Sequence, residues 1–183
     1  MQLLKSSFLS SACGLAMLSF VATAHAASIT TDANVNIVIP VSITQVAEMD
    51  FGIVARPSGV TSSVVSLGTN GSRSISGGTG ALVSGGTPAA ASYNVFGTNT
   101  YLVDISVSNL SQPGTGLTLS NFIGKFNAGS DINIDVGDGG QATLTALSET
   151  TGDLLKVGAD LTVANTATAG AHVGTFDLII NYN

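Results

Sequence analysis

The chain has 183 residues, of which 44% are hydrophobic and only 9% are charged. Its 5 basic residues stand against 11 acidic ones, for a formal net charge of -6, and so few cations cannot form the basic surface that nucleic-acid binding requires. The hydrophobic fraction is too high for a disordered chain, and the single cysteine excludes a disulfide scaffold.

The first 26 residues have the pattern of a Sec signal peptide. Lys5 supplies a positive charge, residues 8–21 are mostly apolar, and Ala24-His25-Ala26 is a small-x-small cleavage site. A transmembrane anchor is the less favoured alternative, because the apolar run is shorter than the roughly 20 residues that a span needs. We therefore expect export, with residues 27–183 as one mature domain that contains no membrane span, no cysteine and a single histidine.

Alternation of apolar and polar residues predicts β-strands along most of the mature chain. The alternation is longest over residues 28–46, where a period of two would place one apolar face against a core, and Pro40 interrupts it. Residues 91–96 and 101–107 are predicted to form a hairpin. Shorter strands are predicted at 62–67, 73–75, 117–122, 132–136, 142–147, 154–157 and 161–163.

The last predicted strand places Phe176, Leu178, Ile180 and Tyr182 on one face. In total, nine to eleven short strands follow one another with turn signals about every ten residues. This spacing is typical of an antiparallel sandwich or barrel. The fold class predicted from the sequence is therefore all-β.

The sequence contains no set of residues that is typical of a catalytic site. His172 is the one histidine of the mature chain, and there is no Gly-x-Ser-x-Gly motif. A single histidine without cysteine also does not provide an ordinary zinc site. Asp131, Asp135 and Asp138 resemble part of a calcium loop, but the glycine spacing is wrong and Ala142 stands where a glutamate would be needed. We expect no enzyme and no cofactor, and a weak calcium site near these three aspartates stays an open question.

Several short motifs resemble the bacterial secreted family known as domain of unknown function 4402. They are Val41-Ser42-Ile43-Thr44-Gln45, Met49-Asp50-Phe51-Gly52, Leu161-Thr162-Val163, Gly174-Thr175-Phe176 and Asn181-Tyr182-Asn183. The resemblance covers essentially the whole mature chain, with His172 at a position where a tyrosine is more usual. The family name implies no activity.

A looser resemblance is to chaperone–usher pilins, including the archaic spore-coat-U-like subunits, although those usually carry a disulfide. It implies an immunoglobulin-like, pilin-like β-sandwich that lacks its last strand and receives the N-terminal extension of another copy. Residues 27–39 would be that donor strand, with Ile29, Val35, Ile37 and Ile39 as anchors. Phe176, Leu178 and Ile180 would form one wall of the acceptor groove.

The same resemblance implies a fimbrial subunit at the cell surface. Its partners would be other copies of itself, a periplasmic chaperone and an outer-membrane usher. Two alternatives remain open at this point. Residues 33–46 could instead be the first strand of a complete sandwich, and the protein could be a monomeric secreted module that binds a ligand through loops 72–86 and 137–140.

Overall fold

The computed structural model describes residues 26–183. This part of the chain contains twelve β-strands, one short 3-10 turn at Ala146–Glu149 and no α-helix. The strands are β1 (Ser42–Ala47), β2 (Val54–Ala55), β3 (Ser63–Leu67), β4 (Arg73–Ser76), β5 (Ala81–Leu82), β6 (Ala91–Phe96), β7 (Leu102–Ser111), β8 (Leu117–Phe126), β9 (Asp131–Asn133), β10 (Gly140–Thr143), β11 (Asp153–Val163) and β12 (Thr175–Tyr182).

The chain divides into two units, Met1–Asn36 and Ile37–Asn183. In the described part of the first unit, residues 26–36, there is no regular secondary structure. Ile29 and Val35 within it are 91% and 84% exposed. All twelve strands belong to the second unit.

The larger sheet is built around β11, the longest strand. On one side β11 pairs with β6 through Asp153–Val157 and then with β3 through Ala159–Val163. On its other side it pairs with β8 over most of its length. The next strands outward are β1 beside β6, β4 beside β3 and β9 beside β8, and every pairing is antiparallel.

The smaller sheet has the order β10-β7-β12, and β2 and β5 form a separate two-stranded ribbon. The order β1-β6-β11-β8 in one sheet and β7-β12 in the other follows the A-B-E-D and C-F order of an immunoglobulin sandwich. The seventh strand of that fold would pair with β12. No strand among residues 26–183 occupies that position.

Both sheets contribute alternate side chains to one apolar core, which explains the period of two in the sequence. From the larger sheet come Val95, Phe122 and Leu155, and from the smaller sheet come Val103 and Ile105, all fully buried. Since these residues form one contact cluster, the two sheets pack as a sandwich. The all-β, antiparallel sandwich predicted from the sequence is confirmed.

Three predictions about strands are wrong. Residues 91–96 and 101–107 do form β6 and the start of β7, but they lie in different sheets and make no hairpin. Residues 154–157 and 161–163 belong to one continuous strand, β11, which passes Gly158 with only a local shift of register. Residues 28–41 form no strand, and the apolar side chains at Ile29 and Ile37 are exposed rather than packed on a core.

In the part of the chain that the structure describes, no helix is long and apolar enough to cross a membrane.

Candidate functional site

Two strands of the sandwich have an unpaired edge along the same opening. β1 pairs only with β6, and β12 pairs only with β7, among residues 26–183. Each free edge presents backbone N–H and C=O groups that a further strand can use. Residues of both strands, including Ile43, Gln45, Leu178 and Ile179, line one groove.

The groove is large and mostly apolar. Its volume is about 1440 Å³, which exceeds the roughly 300–1,000 Å³ of typical small-molecule pockets. Side chains from the core form its floor, and the segment from Ala167 to Gly174 lies along it. The apolar residues of the floor and walls include Met49, Phe51, Leu117, Leu119, Leu161, Val163 and Phe176. A space of this size and chemistry suits an extended segment of polypeptide.

One end of the groove is closed by Tyr182. Its hydroxyl donates a hydrogen bond to the Ile39 carbonyl (2.5 Å) and accepts one from the Thr98 amide (2.7 Å). The Ile39 amide in turn donates to Thr98 Oγ1 at 2.6 Å. Because Ile39 lies just before β1 and Tyr182 ends β12, the two strands run in opposite directions along the groove. At the other end, near Thr175 and Ala47, no such link is present among residues 26–183.

Replacing Tyr182 with Phe is expected to loosen this closed end. The substitution removes both hydrogen bonds of the hydroxyl, and each is worth about 1 kcal/mol in a typical protein. We expect a loss of about 1–2 kcal/mol in the free energy of unfolding, measured by urea titration. The Thr98 amide should also exchange its hydrogen faster. An unchanged exchange rate at Thr98 would contradict the role of the hydroxyl.

Two arginines fix the rim of the groove through backbone carbonyls. Arg73 donates from Nη1 to the carbonyls of Phe51 (2.6 Å) and Ile53 (3.2 Å), and from Nη2 to the carbonyl of Val83 (3.3 Å). Arg56 Nη1 donates to the carbonyl of Ala167 at 2.7 Å. Their positive charges therefore hold two irregular segments of the rim in place.

Tyr93 is the exception on the apolar floor. It is only 9% exposed, and it lines the groove from β6. Burial raises the pKa of its phenol above the ordinary value. Its hydroxyl makes no hydrogen bond to any other residue in the described range 26–183. The Tyr93 side chain is thus mostly buried, but its hydroxyl oxygen is not, and it faces the open space of the groove.

The structure places the predicted groove residues as follows. Phe176 and Leu178 line the groove, and Phe176 packs on Phe122 with ring centroids 4.9 Å apart. Ile180 is half-buried against the core near the closed end and does not line the open part. The wall on β1 and the segment from Ala167 to Gly174 were not predicted, because no local pattern shows which distant strands face each other.

The predicted anchors all carry exposed side chains. Ile37 is 84% exposed and Ile39 is 51% exposed, with both backbone groups of Ile39 already hydrogen-bonded. Together with Ile29 and Val35, they occupy odd-numbered positions of a segment that has no regular secondary structure.

The three candidate calcium ligands do not converge. Asp131 accepts a hydrogen bond from Thr69, Asp135 accepts from the Asn121 amide, and Asp138 accepts from Asn133. Within residues 26–183 there is no group of three or more acidic, histidine or cysteine side chains that could hold a metal ion. His172 contacts the carbonyl of Thr168 through Nε2 and lies on the groove-lining segment.

Comparison with protein families gives a match to the model described as domain of unknown function DUF4402. The match covers residues 41–182, which is 142 of the 183 residues and all twelve strands. The chain belongs to the DUF4402 family. Neither the curated proteins nor the solved structures include a significant match. In this DUF4402 protein the family match begins just before β1, so that residues 26–40 lie outside it.

Proposed function

We propose that this DUF4402 protein is a non-catalytic structural subunit of a surface fibre that assembles by donor-strand exchange. The observation that carries the proposal is the apolar groove between the free edges of β1 and β12. It lies where the seventh strand of an immunoglobulin sandwich would pair with β12. A strand from a second copy would fill the groove and pair with both edges.

The occupant we propose is the N-terminal segment of a second copy. Ile29, Val35 and Ile37 are exposed on that segment. Even numbers of residues separate them, so their side chains would point to one face of an added strand. Burying each of them is worth about 1.5–3 kcal/mol. Ile39 would mark the boundary between the donated strand and the body, because its own amide and carbonyl are already bonded.

The closed end of the groove favours one direction of insertion. The acceptor's own Ile39 and Tyr182 occupy that end, so the donor's body, which follows its Pro40, is placed at the open end. The donated strand would then run parallel to β1 and antiparallel to β12. Each copy would accept a strand at one end of its groove and donate its own segment from the other, which gives a head-to-tail polymer.

The proposal includes the route to the surface. A Sec signal at residues 1–26 would deliver the chain to the periplasm. Exposed strand edges and an open apolar groove promote aggregation, so a periplasmic chaperone would cover the groove until an outer-membrane usher exchanges it for the next subunit. The mature protein would reside in a fimbrium at the cell surface, where it could support adhesion.

The test is the size of the assembled mature protein. Size-exclusion chromatography and electrophoresis in detergent, before and after heating, should show a ladder of multiples of one subunit. Excess synthetic peptide of residues 27–38 should shorten the ladder, because it fills free grooves. A single monomeric species before heating, unaffected by the peptide, would contradict the fibre and favour a monomeric secreted binding module.

A further inference from the structure

A second cavity lies on the outer face of the larger sheet, apart from the groove. Its volume is about 270 Å³, which suits one small group rather than a segment of polypeptide. Ser92 and Lys156 line it from β6 and β11. Since the adjacent residues along those strands, Tyr93 and Leu155, are buried on the inner face, Ser92 and Lys156 point outward. The turn after β3 and the segment before β6 complete the lining.

Lys156, which lines the cavity, lies beside a second lysine. Across the sheet, Lys156 has Ser92 on one side and Lys125 of β8 on the other. Within residues 26–183, neither lysine makes an ion pair or a side-chain hydrogen bond. Like charges directly opposite one another on neighbouring strands are destabilising. Asp131 follows Lys125 in the same row and accepts a hydrogen bond from Thr69 Oγ1. The row therefore keeps one positive charge in excess, in a chain whose net charge is -6.

The turn after β3 adds an amide donor in a fixed orientation. Asn70 Oδ1 accepts hydrogen bonds from the Ser72 amide (3.0 Å) and from Ser72 Oγ (2.6 Å), which orients the side chain. Its Nδ2 and the Ser92 hydroxyl make no hydrogen bond with any residue in the range that the structure describes. None of the described residues that line the cavity is acidic. An ammonium, an amide and a hydroxyl group therefore share one small cavity with no carboxylate in its lining.

We propose that this cavity binds a small oxyanion, either free or carried by an acidic sugar. The Lys156 ammonium supplies the charge and the strongest hydrogen bond, and Asn70 Nδ2 and the Ser92 hydroxyl donate the others. A bound anion also offsets the repulsion between Lys156 and Lys125. The site lies outside the groove and goes beyond the proposed function, so it does not depend on fibre assembly.

Isothermal titration calorimetry on the mature protein tests the site. Glucuronate, acetate, inorganic sulfate and neutral glucose are titrated at constant ionic strength. We expect saturable binding of one anion per subunit and no binding of glucose. Tighter binding of glucuronate than of acetate assigns the site to acidic sugars, and equal binding assigns it to the oxyanion alone. Absence of saturable binding with all three anions, or glucose that binds as well as glucuronate, would overturn the proposal.

Three variants locate the bound anion. Lys156→Gln should weaken binding at least about tenfold, because a hydrogen bond to a charged group is lost. Lys125→Gln removes the same charge one strand away and should weaken binding only about threefold, because solvent and salt screen its attraction. Asn70→Asp keeps an oxygen acceptor for Ser72 but replaces the amide donor with a negatively charged oxygen, so binding should be lost.

The urea unfolding midpoint of each variant separates a loss of binding from a loss of folding. Lys156→Gln should not lower the midpoint, because it removes a repulsion between neighbouring strands. Equal weakening of anion binding by Lys156→Gln and Lys125→Gln would indicate a diffuse effect of charge and overturn the site. Wild-type affinity in the Asn70→Asp variant would overturn it as well.

Discussion

Replacing Val35 with Asp is expected to abolish polymer formation. Val35 is 84% exposed in the subunit, so the change should not affect folding. In the proposed fibre the same position inserts into the apolar groove, where an unpaired carboxylate costs several kcal/mol in addition to the lost burial of about 1.5–3 kcal/mol. Subunit affinity should fall at least about a thousandfold. Electrophoresis in detergent without heating should show monomer in place of a ladder.

Asn34→Asp is the matched control for this experiment. It adds the same charge to the same segment one residue away, on the face that would point out of the groove. A ladder like that of the wild type is expected. Equal loss of the ladder in both variants would mean that charge alone disturbs assembly, and a ladder that survives Val35→Asp would rule out insertion of this face.

Replacing Asp153 with Ala is expected to cause the largest loss of stability among the substitutions considered. Asp153 is fully buried at the start of β11. Its carboxylate accepts hydrogen bonds from Asn127 Nδ2 (2.9 Å), from the Thr145 amide (2.8 Å) and from Thr145 Oγ1. The substitution leaves these donors unpaired in a buried site. We expect a loss of about 3 kcal/mol in the free energy of unfolding, measured by urea titration.

Asp160→Ala provides the comparison on the same strand. Asp160 is only partly buried and accepts one hydrogen bond, from Asn121 Nδ2 at 2.8 Å. Its loss should cost under about 1 kcal/mol. Similar losses for the two variants would contradict the structural role assigned to the buried carboxylate.

Strand positions were predictable where a local pattern defines them. Apolar and polar residues largely alternate in β12, and β3, β8 and β12 each lie at or close to the predicted position. Pairing was not predictable, as β6 and β7 demonstrate. Both strands bury every second residue, and this pattern is the same whether two successive strands pair in one sheet or face each other across the core. The choice depends on contacts with β1, β11 and β12, which are distant in sequence.

The groove was only partly predictable for the same reason. Alternation in the last strand placed Phe176 and Leu178 on one face, because a half-buried strand shows its core face in sequence, and both residues line the groove. Tyr93 was not predicted to line the groove, because a tyrosine in a strand is ordinary and its place on the floor appears only in three dimensions. The alternation over residues 28–41 predicted a packed strand, but it predicts only which side chains share a face and not whether a surface is present to receive them.

The two arginines of the rim bear on the acid tolerance of the protein. A guanidinium keeps its charge throughout the pH range in which proteins fold, and a backbone carbonyl does not titrate. The bonds from Arg73 and Arg56 to carbonyl oxygens therefore do not depend on the ionisation of any carboxylate. Acidification that would break an arginine–carboxylate pair leaves these bonds unchanged, so the arginines should keep their hold on the two rim segments when the surroundings turn acidic.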